Sequence, residues 1–176
     1  MSSPTEWMKN EYNALVKKGF DWKPPVIGGP STGRAVIDGK ERIMLCANNY
    51  LSMSNHPKVK QAAIDAVKSH GAGSGSVRPI AGNMDIHNEL EETIARFKNR
   101  EAALYYQTGF AVNSGLIPQL AGKNDAIISD QLNHGSIIDG VRLSGVKKEN
   151  RTIYAHNDMG ELEDRLKEAT NKCEKT

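Results

Sequence analysis

A histidine in a polar turn between two apolar runs is the first residue of this sequence that could do chemistry. The apolar residues 126–128 lead into the turn SDQLNHGS, which carries His134, and a second apolar run begins at Ile137. This order predicts a buried strand, a functional turn and a helix. In open α/β sheets, ligands bind beyond the carboxyl ends of the strands, where an aromatic, titratable side chain suits a flat cofactor. His134 is therefore the leading candidate for a ligand contact, and a hydrogen-bonded structural histidine is the alternative.

A second candidate is the turn Thr108-Gly109-Phe110, where a predicted short strand at 102–107 runs directly into a predicted helix at 110–120. Free N–H groups at the start of that helix, together with the Thr108 hydroxyl, would cradle a phosphate, and the helix dipole adds to the attraction. Gly109 lets the backbone come close to a ligand, and Phe110 could cover it. An ordinary turn with a threonine cap is the alternative. Because the two candidates follow successive predicted strands, each strengthens the other.

The glycine-rich loop at 71–82 fits neither of the common phosphate-binding motifs. A dinucleotide fingerprint requires GxGxxG after a strand, whereas this loop follows a predicted helix. The residues at 122–124, Gly-Lys-Asn, lack the spacing and the hydroxyl of a P-loop. By itself the loop is predicted to be a mobile connector, although its glycines would allow a ligand to approach the backbone.

The elements that must position these residues alternate between helix and strand. This pattern predicts an α/β fold with a mainly parallel sheet. The first predicted elements are a helix from Thr5 to Gly19, hairpin strands at about 34–37 and 41–46 around Asp38-Gly39, and a helix capped by Ser54 or Asn55 that stops at His70. A further helix is predicted from about Asp85, with Ile86, Leu90, Ile94 and Phe97 on one face. Strands at 102–107, 126–129 and 151–155 and a helix at 159–169, capped by Asn157 or Asp158, complete the pattern.

Composition excludes several classes of function. The chain has 176 residues and a net charge of +2, so it is long enough for one domain and has no charge excess that would indicate nucleic acid or a membrane surface as a partner. It contains no apolar run of membrane-spanning length, and its N-terminus does not resemble a signal peptide. Cys46 and Cys173 suggest neither a disulfide framework nor a metal site. We therefore expect a reduced cytoplasmic protein.

Four motifs, in order along the chain, resemble the α-oxoamine synthase family. They are CANNYL at 46–51, GAGSGSVRPIAGN at 71–83, the turn at 105–113 and DAIISDQLNHGSIIDGVRL at 125–143. The resemblance runs from about residue 5 to residue 169. The last motif, together with AHNDMGELEDRLKEA at 155–169, is most similar to the glycine C-acetyltransferase branch, also called 2-amino-3-ketobutyrate CoA ligase.

The resemblance implies a fold-type I pyridoxal-phosphate transferase, like aspartate aminotransferase, with pyridoxal 5'-phosphate as cofactor. It implies condensation of glycine with acetyl-CoA to 2-amino-3-oxobutyrate and CoA, with the cofactor as electron sink. Homodimerisation is expected, because active sites in this family are built between subunits. It also implies that residues 1–53 are an N-terminal helix, connector and hairpin segment, and that residues 54–176 are the N-terminal part of the large cofactor-binding domain.

The resemblance also assigns roles to individual residues. His134 matches the catalytic histidine that stacks on the cofactor ring and helps to orient the substrate. Gly109 and Phe110 match backbone contacts to the cofactor phosphate, with Thr108 adjacent. Asn49 matches an asparagine of the substrate pocket, and the loop residues bordering the acyl end of the site are Ser76, Val77 and Arg78.

The side chains of the glycine-rich loop bear on the acyl substrate. The 5-aminolevulinate synthases place hydrogen-bonding side chains where this chain has Val77 and Pro79. An anionic acyl tail would find no side-chain donor at these positions and would be desolvated at a cost. We therefore predict a short neutral acyl group such as acetyl. The alternative is an 8-amino-7-oxononanoate synthase, which uses L-alanine and a pimeloyl thioester in biotin synthesis.

The resemblance implies that the family's Schiff-base lysine lies after residue 176. No lysine of this chain stands in a matching motif, and Lys147 and Lys148 belong to a solvated charged run. Without that amine the covalent step cannot occur, so we expect the chain alone to be inactive. The missing C-terminal portion would be a continuation of the chain or a separate chain. Two other hypotheses remain open. In one the chain is a non-catalytic folding or interaction unit that binds phosphate-like anions, and in the other it is a nucleotide-binding protein.

Overall fold

The computed structural model describes residues 4–176, and the chain divides into two compact units. One unit ends at Gly82 and the other begins at Asn83. The boundary predicted after residue 53 concerns the cofactor-binding domain of the family and stays a prediction. Within residues 4–176, no helix is both long enough and apolar enough to cross a bilayer.

The first unit contains the predicted hairpin and two helices. Its elements are α1 Glu6–Lys17, β1 Arg34–Ile37, β2 Lys40–Ile43 and α2 Pro57–His70. The strands are antiparallel, and Asp38 and Gly39 between them both have positive φ, at 49° and 75°. Positive φ at both central residues is the requirement of a type I′ turn, which matches the twist of the flanking strands. The hairpin prediction is confirmed, but β2 ends at Ile43 rather than at 46.

The predicted cap of α2 is wrong. The N-cap residue is His56, whose Nδ1 accepts a hydrogen bond from the Lys58 N–H at 3.3 Å, rather than Ser54 or Asn55. The reason is Pro57, which is disfavoured after a helical residue and therefore makes His56 extended, with ψ at 132°. Residues 53–55 form a separate 3₁₀ turn.

The glycine-rich loop at 71–82 folds back on its own backbone. The Val77 carbonyl accepts hydrogen bonds from the N–H groups of Ile80, Ala81 and Gly82 at 3.1, 3.3 and 3.0 Å, which makes a single π-turn. Gly82 is buried, and a Cβ atom on it would overlap the Ser76 carbonyl oxygen. This glycine is therefore required for close packing within the loop itself.

The second unit contains parallel strands connected through helices. Its elements are α3 Asp85–Phe97, α4 Gly109–Leu120, β3 Ile127–Asp130, α5 Gly135–Leu143, β4 Arg151–Tyr154 and α6 Met159–Thr170. Strands β3 and β4 pair in parallel, with Ile127 opposite Arg151 and Asp130 opposite Tyr154. The carboxyl ends of both strands therefore meet at one edge, as the predicted α/β pattern requires. Of the two predicted caps of α6, Asp158 is the observed one.

The predicted strand at 102–107 is wrong. These residues form no ladder with either strand of the unit, and the Tyr105 N–H donates instead to the Glu91 carboxylate at 2.7 Å. A β-branched or aromatic run becomes a strand only where a partner backbone lies beside it. Here a side chain of α3 satisfies the Tyr105 backbone donor, so the segment joins no sheet among the described residues.

Helices α4 and α5 pack closely enough to exclude a side chain between them. A Cβ atom on Gly140 of α5 would overlap the backbone carbonyl of Asn113 and lie 2.9 Å from Ile117 Cδ1. Ser136 of α5 contacts the Asn113 side chain, whereas Gly140, one turn later, lies against the Asn113 carbonyl and Ile117, so the contact moves toward the C-terminal end of α4 as α5 advances. The two helices therefore run in the same direction, and both begin at the same side of the unit.

Candidate functional site

His134 is the residue immediately before α5, and its imidazole ring caps that helix. Its Nδ1 accepts a hydrogen bond from the Ser136 backbone N–H at 3.1 Å. The residue is exposed overall, so one edge of the imidazole is tied to the helix start and the rest of the ring is open. The ligand-contact and structural interpretations of this histidine are thus compatible, because the structural bonds use a single ring nitrogen.

A buried serine connects His134 to α4. The Ser136 side chain is buried, and its hydroxyl lies 2.7 Å from His134 Nδ1. The Asn113 Nδ2 group donates to the same hydroxyl at 2.9 Å. Sequence reasoning missed both residues, which are 23 positions apart. The only signal in the sequence was the position of Asn113 one turn into the helix that follows the Thr108 turn.

Asp130 closes the carboxyl ends of the two parallel strands. Its carboxylate accepts hydrogen bonds from the Leu132 N–H at 2.7 Å, from His156 Nδ1 at 2.9 Å and from the Asn157 N–H at 3.1 Å. These bonds, of which the one from Leu132 is the strongest influence, lower the pKa of Asp130 to about 2. Asp130 therefore stays ionised at neutral pH and fixes the first part of the turn that carries His134.

A second side-chain bond closes the middle of this turn. Asn133 Nδ2 donates to the Ser129 hydroxyl at 2.9 Å, and both residues are half-buried. The turn from Ser129 to Ser136, which we call the histidine turn, is thus held by side chains at its start, middle and end. Polar residues with short side chains cluster in this segment, and such a cluster indicates a turn that is held by side chains.

The Thr108 turn has the geometry of a helix start that can bind an anion. Thr108 caps α4, with its Oγ1 accepting from the Ala111 N–H at 3.0 Å, so the predicted cap is confirmed. A Cβ atom on Gly109 would meet nothing within 4 Å, and Phe110 is 55% exposed, so the space beside the first turn is open. The first N–H groups of a helix have no partner within the helix. A phosphate group fits this position.

The structure brings four of the predicted site residues into one region. Thr108, Gly109 and Phe110 stand at the start of α4, and His134 stands at the start of α5. Because these helices run in the same direction and are in contact, their two starts lie at the same side of the second unit. The open helix start at Gly109 and the exposed imidazole of His134 therefore lie at the same side of this unit.

The other predicted site residues belong to the first unit. Asn49 is half-buried and donates to the Ser31 carbonyl and to the Ser54 hydroxyl, both at 2.7 Å. It borders an open pocket of about 190 Å³ that is also lined by Ser31, Thr32, Gly33, Met44, Leu45, Ala47, Tyr50 and Ser52. Asn49 thus holds its own loop in place, and its role toward a substrate stays a prediction.

Ser76, Val77 and Arg78 lie in the π-turn region of the glycine-rich loop. Val77 is 61% exposed, and Ser76 and Arg78 are half-buried. Ser74 donates its hydroxyl hydrogen to the Ser76 carbonyl at 2.7 Å, which adds to the internal bonding of the loop. An apolar side chain is therefore presented from a tightly folded backbone, and contact with an acyl group stays a prediction.

Curated relatives match nearly the whole chain. It is 48% identical over 166 residues to the 8-amino-7-oxononanoate synthase of Treponema denticola, covering 94% of this chain and 41% of that protein. It is 49% identical over 167 residues to the enzyme of the same name from Thermoanaerobacter pseudethanolicus, covering 95% and 42%. The chain thus spans about two fifths of the length of these relatives.

Solved structures share the fold. A variant of serine palmitoyltransferase from S. paucimobilis, with a bound PLP–myriocin aldimine, superposes with a TM-score of 0.80 at 30% identity over 93% of this chain and 41% of that one. The Sphingomonas wittichii serine palmitoyltransferase gives a TM-score of 0.81 at 30% identity over 98% and 43%. The predicted fold-type I transferase fold is confirmed, and these neighbours agree with the resemblance to α-oxoamine synthases.

The family follows from a match that covers most of the chain. The sequence model of the family described as "Aminotransferase class I and II" matches residues 40–176, which include the histidine turn and the Thr108 turn. Pyridoxal phosphate is the cofactor that goes with this family and fold, as the sequence analysis predicted. The chain belongs to the class I and II aminotransferase family.

Proposed function

We propose that this chain supplies the cofactor-binding part of a pyridoxal-phosphate-dependent C-acyltransferase of the 8-amino-7-oxononanoate synthase type. The substrates would be L-alanine and a pimeloyl thioester. The observation that carries the proposal is the shared name of the curated relatives across more than nine tenths of this chain. Those relatives favour this alternative over the glycine C-acetyltransferase that the sequence motifs predicted.

Residues of the second unit would hold the cofactor. The N–H groups at the start of α4, with Thr108, Gly109 and Phe110, would bind its phosphate, since the helix dipole and the open space beside Gly109 favour an anion. His134, exposed at the adjoining helix start, would stack on its ring. When bound, pyridoxal phosphate supplies an electron sink for the electron pair left at the amino-acid α-carbon.

The substrate roles rest on residues of the first unit. Asn49 would line the amino-acid pocket, and Ser76, Val77 and Arg78 would border the acyl group. Val77 is exposed and apolar, which suits a methylene chain. Assembly as a homodimer is part of the same proposal, because the loop residues would then complete a site together with the second subunit.

Glycine C-acetyltransferase is the second candidate. Two observations favour it, namely the similarity of residues 125–143 and 155–169 to that branch and the lack of a side-chain donor on Val77 and Pro79. An acetyl group has no distal carboxylate, so it needs no such donor. The two candidates differ in both substrates, and a direct assay separates them.

The test is a substrate competition with the intact protein loaded with pyridoxal phosphate. L-alanine and glycine are supplied together with either a pimeloyl thioester or acetyl-CoA, and the products are identified by mass. We expect 8-amino-7-oxononanoate as the main product. Formation of 2-amino-3-oxobutyrate instead would establish the second candidate, and the absence of both products with saturating cofactor would refute the acyltransferase proposal.

A further inference from the structure

We propose that Asn113 and Ser136 set the tautomer of His134, so that Nδ1 is a hydrogen-bond acceptor and Nε2 carries the proton. Asn113 and Ser136 are then positioning residues, because they act through the imidazole and not on a ligand. The proposal rests on the proposed function only in taking His134 as the residue that meets the cofactor and substrate. The tautomer itself follows from contacts within the chain.

The direction of each hydrogen bond is fixed by the chemistry of its donor. A backbone N–H can only donate, so the Ser136 N–H, 3.1 Å from His134 Nδ1, requires a lone pair on that nitrogen. The Asn113 Nδ2 group also only donates, and it lies 2.9 Å from the Ser136 hydroxyl oxygen. Because Nδ1 then carries no hydrogen, the bond between it and the Ser136 hydroxyl, 2.7 Å away, uses the hydroxyl hydrogen, and the Asn113 amide occupies an oxygen lone pair without competing for that hydrogen.

Both bonds to Nδ1 therefore favour the same state of the ring. A neutral imidazole has one N–H and one lone pair, so a Nδ1 that accepts from two donors leaves the proton on Nε2. We call the three side chains Asn113, Ser136 and His134 the amide–hydroxyl relay. With the proton on Nε2, the exposed edge of the ring offers a hydrogen-bond donor. This edge therefore favours a ligand with a carbonyl or carboxylate oxygen at that position over a ligand with another donor.

Burial makes the relay persistent. Ser136 is 3% exposed and Asn113 is half-buried, whereas His134 is exposed. Water therefore competes poorly for the two inner bonds, while the outer nitrogen remains available to a ligand. The close approach of the helices at Gly140 brings the Asn113 backbone against α5, and this contact sets the position from which the amide reaches Ser136.

The test measures the tautomer directly in the intact apoprotein. With ¹⁵N-labelled histidine, at a pH where the ring is neutral, two-bond nitrogen–proton spectra distinguish the protonated from the unprotonated ring nitrogen. The His134 signals are assigned from their loss in His134→Gln. We expect Nδ1 to be unprotonated in the unmodified protein. Asn113→Ala and Ser136→Ala should each lower the ratio of the Nε2-protonated to the Nδ1-protonated tautomer by about 5- to 10-fold, the equivalent of one hydrogen bond.

A near-isosteric change gives the sharpest test. Asn113→Asp keeps the side-chain shape but replaces a donor with an acceptor, so the Ser136 hydroxyl would turn away from His134 and the tautomer with the proton on Nδ1 should increase more than in Asn113→Ala. The control is Ser144→Ala. Ser144 is 5% exposed at the other end of α5, with its hydroxyl on the Val141 carbonyl at 2.7 Å, and its loss should leave the His134 tautomer unchanged.

A protonated Nδ1 in the unmodified protein would overturn the proposal. So would relay variants that keep their fold, by circular dichroism, and show an unchanged tautomer ratio. Because the spectra need no cofactor or substrate, these outcomes are independent of whether the protein makes 8-amino-7-oxononanoate. Conversely, a protein with the expected tautomer but no acyltransferase product would refute the proposed function alone.

Discussion

The histidine turn, Ser129–Ser136, and the glycine-rich loop at 71–82 are both polar connections, and they are held in opposite ways. Side-chain acceptors on Ser129, Asp130 and His134 bind the histidine turn. The glycine-rich loop is bound mainly by its own backbone, with three N–H groups on the Val77 carbonyl. The first arrangement depends on which side chains are present, whereas the second depends on having room for the backbone.

This difference explains where chemistry can reside. A turn held by side chains can orient one ring nitrogen, and it responds to pH because an ionised carboxylate is among its acceptors. A loop held by its backbone can present an apolar residue such as Val77, but it has few groups that titrate or donate outward. We expect the histidine turn to fail when side chains are removed, and the loop to fail when a carbon atom is added at Gly82.

The largest effect is expected from Gly140→Ala, which acts on the helix that follows the histidine turn. The added Cβ would overlap the Asn113 carbonyl, so α4 and α5 must separate, at a cost of about 1–3 kcal/mol in the free energy of unfolding. Urea denaturation of the intact protein measures this cost. The matched control is Gly115→Ala on α4, where the nearest atom, Tyr106 Cε1, is 3.9 Å away. Equal stability of the two variants would contradict the close packing.

A local effect is expected from Gly82→Ala in the glycine-rich loop. The added Cβ would overlap the Ser76 carbonyl, which forces the π-turn open. Amide exchange of Ile80, Ala81 and Gly82 should accelerate by about tenfold or more, since each 1.4 kcal/mol of lost local stability corresponds to a factor of ten. Gly73→Ala, where nothing lies within 4 Å, should leave these amides protected. Equal exchange in the two variants would show that the loop is not held by its backbone.

A smaller effect is expected from Thr108→Ala at the start of α4. Loss of the bond from the Ala111 N–H to the threonine hydroxyl should cost about 1 kcal/mol of stability, and Thr108→Ser should restore most of it. Pyridoxal-phosphate affinity, measured by titration, should fall in Thr108→Ala and recover in Thr108→Ser. The control is Ser114→Ala in the same helix, whose hydroxyl binds the Phe110 carbonyl at 2.8 Å. An equal loss of affinity in the control would contradict the proposed role of Thr108 in binding the cofactor phosphate.

Local signals in the sequence predicted most elements of the fold. Asp38-Gly39 specified the hairpin because both residues tolerate positive φ, and the helix that follows Thr108 could be found from its cap. The predicted strand at 102–107 failed because a strand is defined by its partner, and Glu91 binds that backbone instead. Sequence periodicity carries no information about such a partner.

Contacts between distant residues account for what the sequence could not predict in the site. Asp130 and His156 are 26 positions apart, and Asn113 and Ser136 are 23 apart. Each pair forms only because parallel strands or parallel helices bring their ends together. His134 could be selected from its place in one turn, but its tautomer depends on a residue of another helix.

The last effect, and the one most specific to the histidine turn, concerns the acid limb of the stability curve. The pKa of Asp130 is about 2 in the folded chain, below its ordinary value of 3.8, so ionised Asp130 stabilises the fold above pH 4, and this stabilisation is lost as the pH falls from about 4 to 2. In Asp130→Asn that contribution is absent at every pH. The melting temperatures of the two proteins, measured in steps from pH 5 to 2, should therefore converge as the pH falls.

Asp125, Glu161 and Glu168 also have lowered pKa values and give both proteins a common slope. The control is Asp139→Asn, which removes an exposed ion pair with Arg142 at 3.2 Å and should give a curve parallel to that of the unmodified protein. Curves for Asp130→Asn that stay parallel down to pH 2 would mean that the carboxylate does not hold the turn.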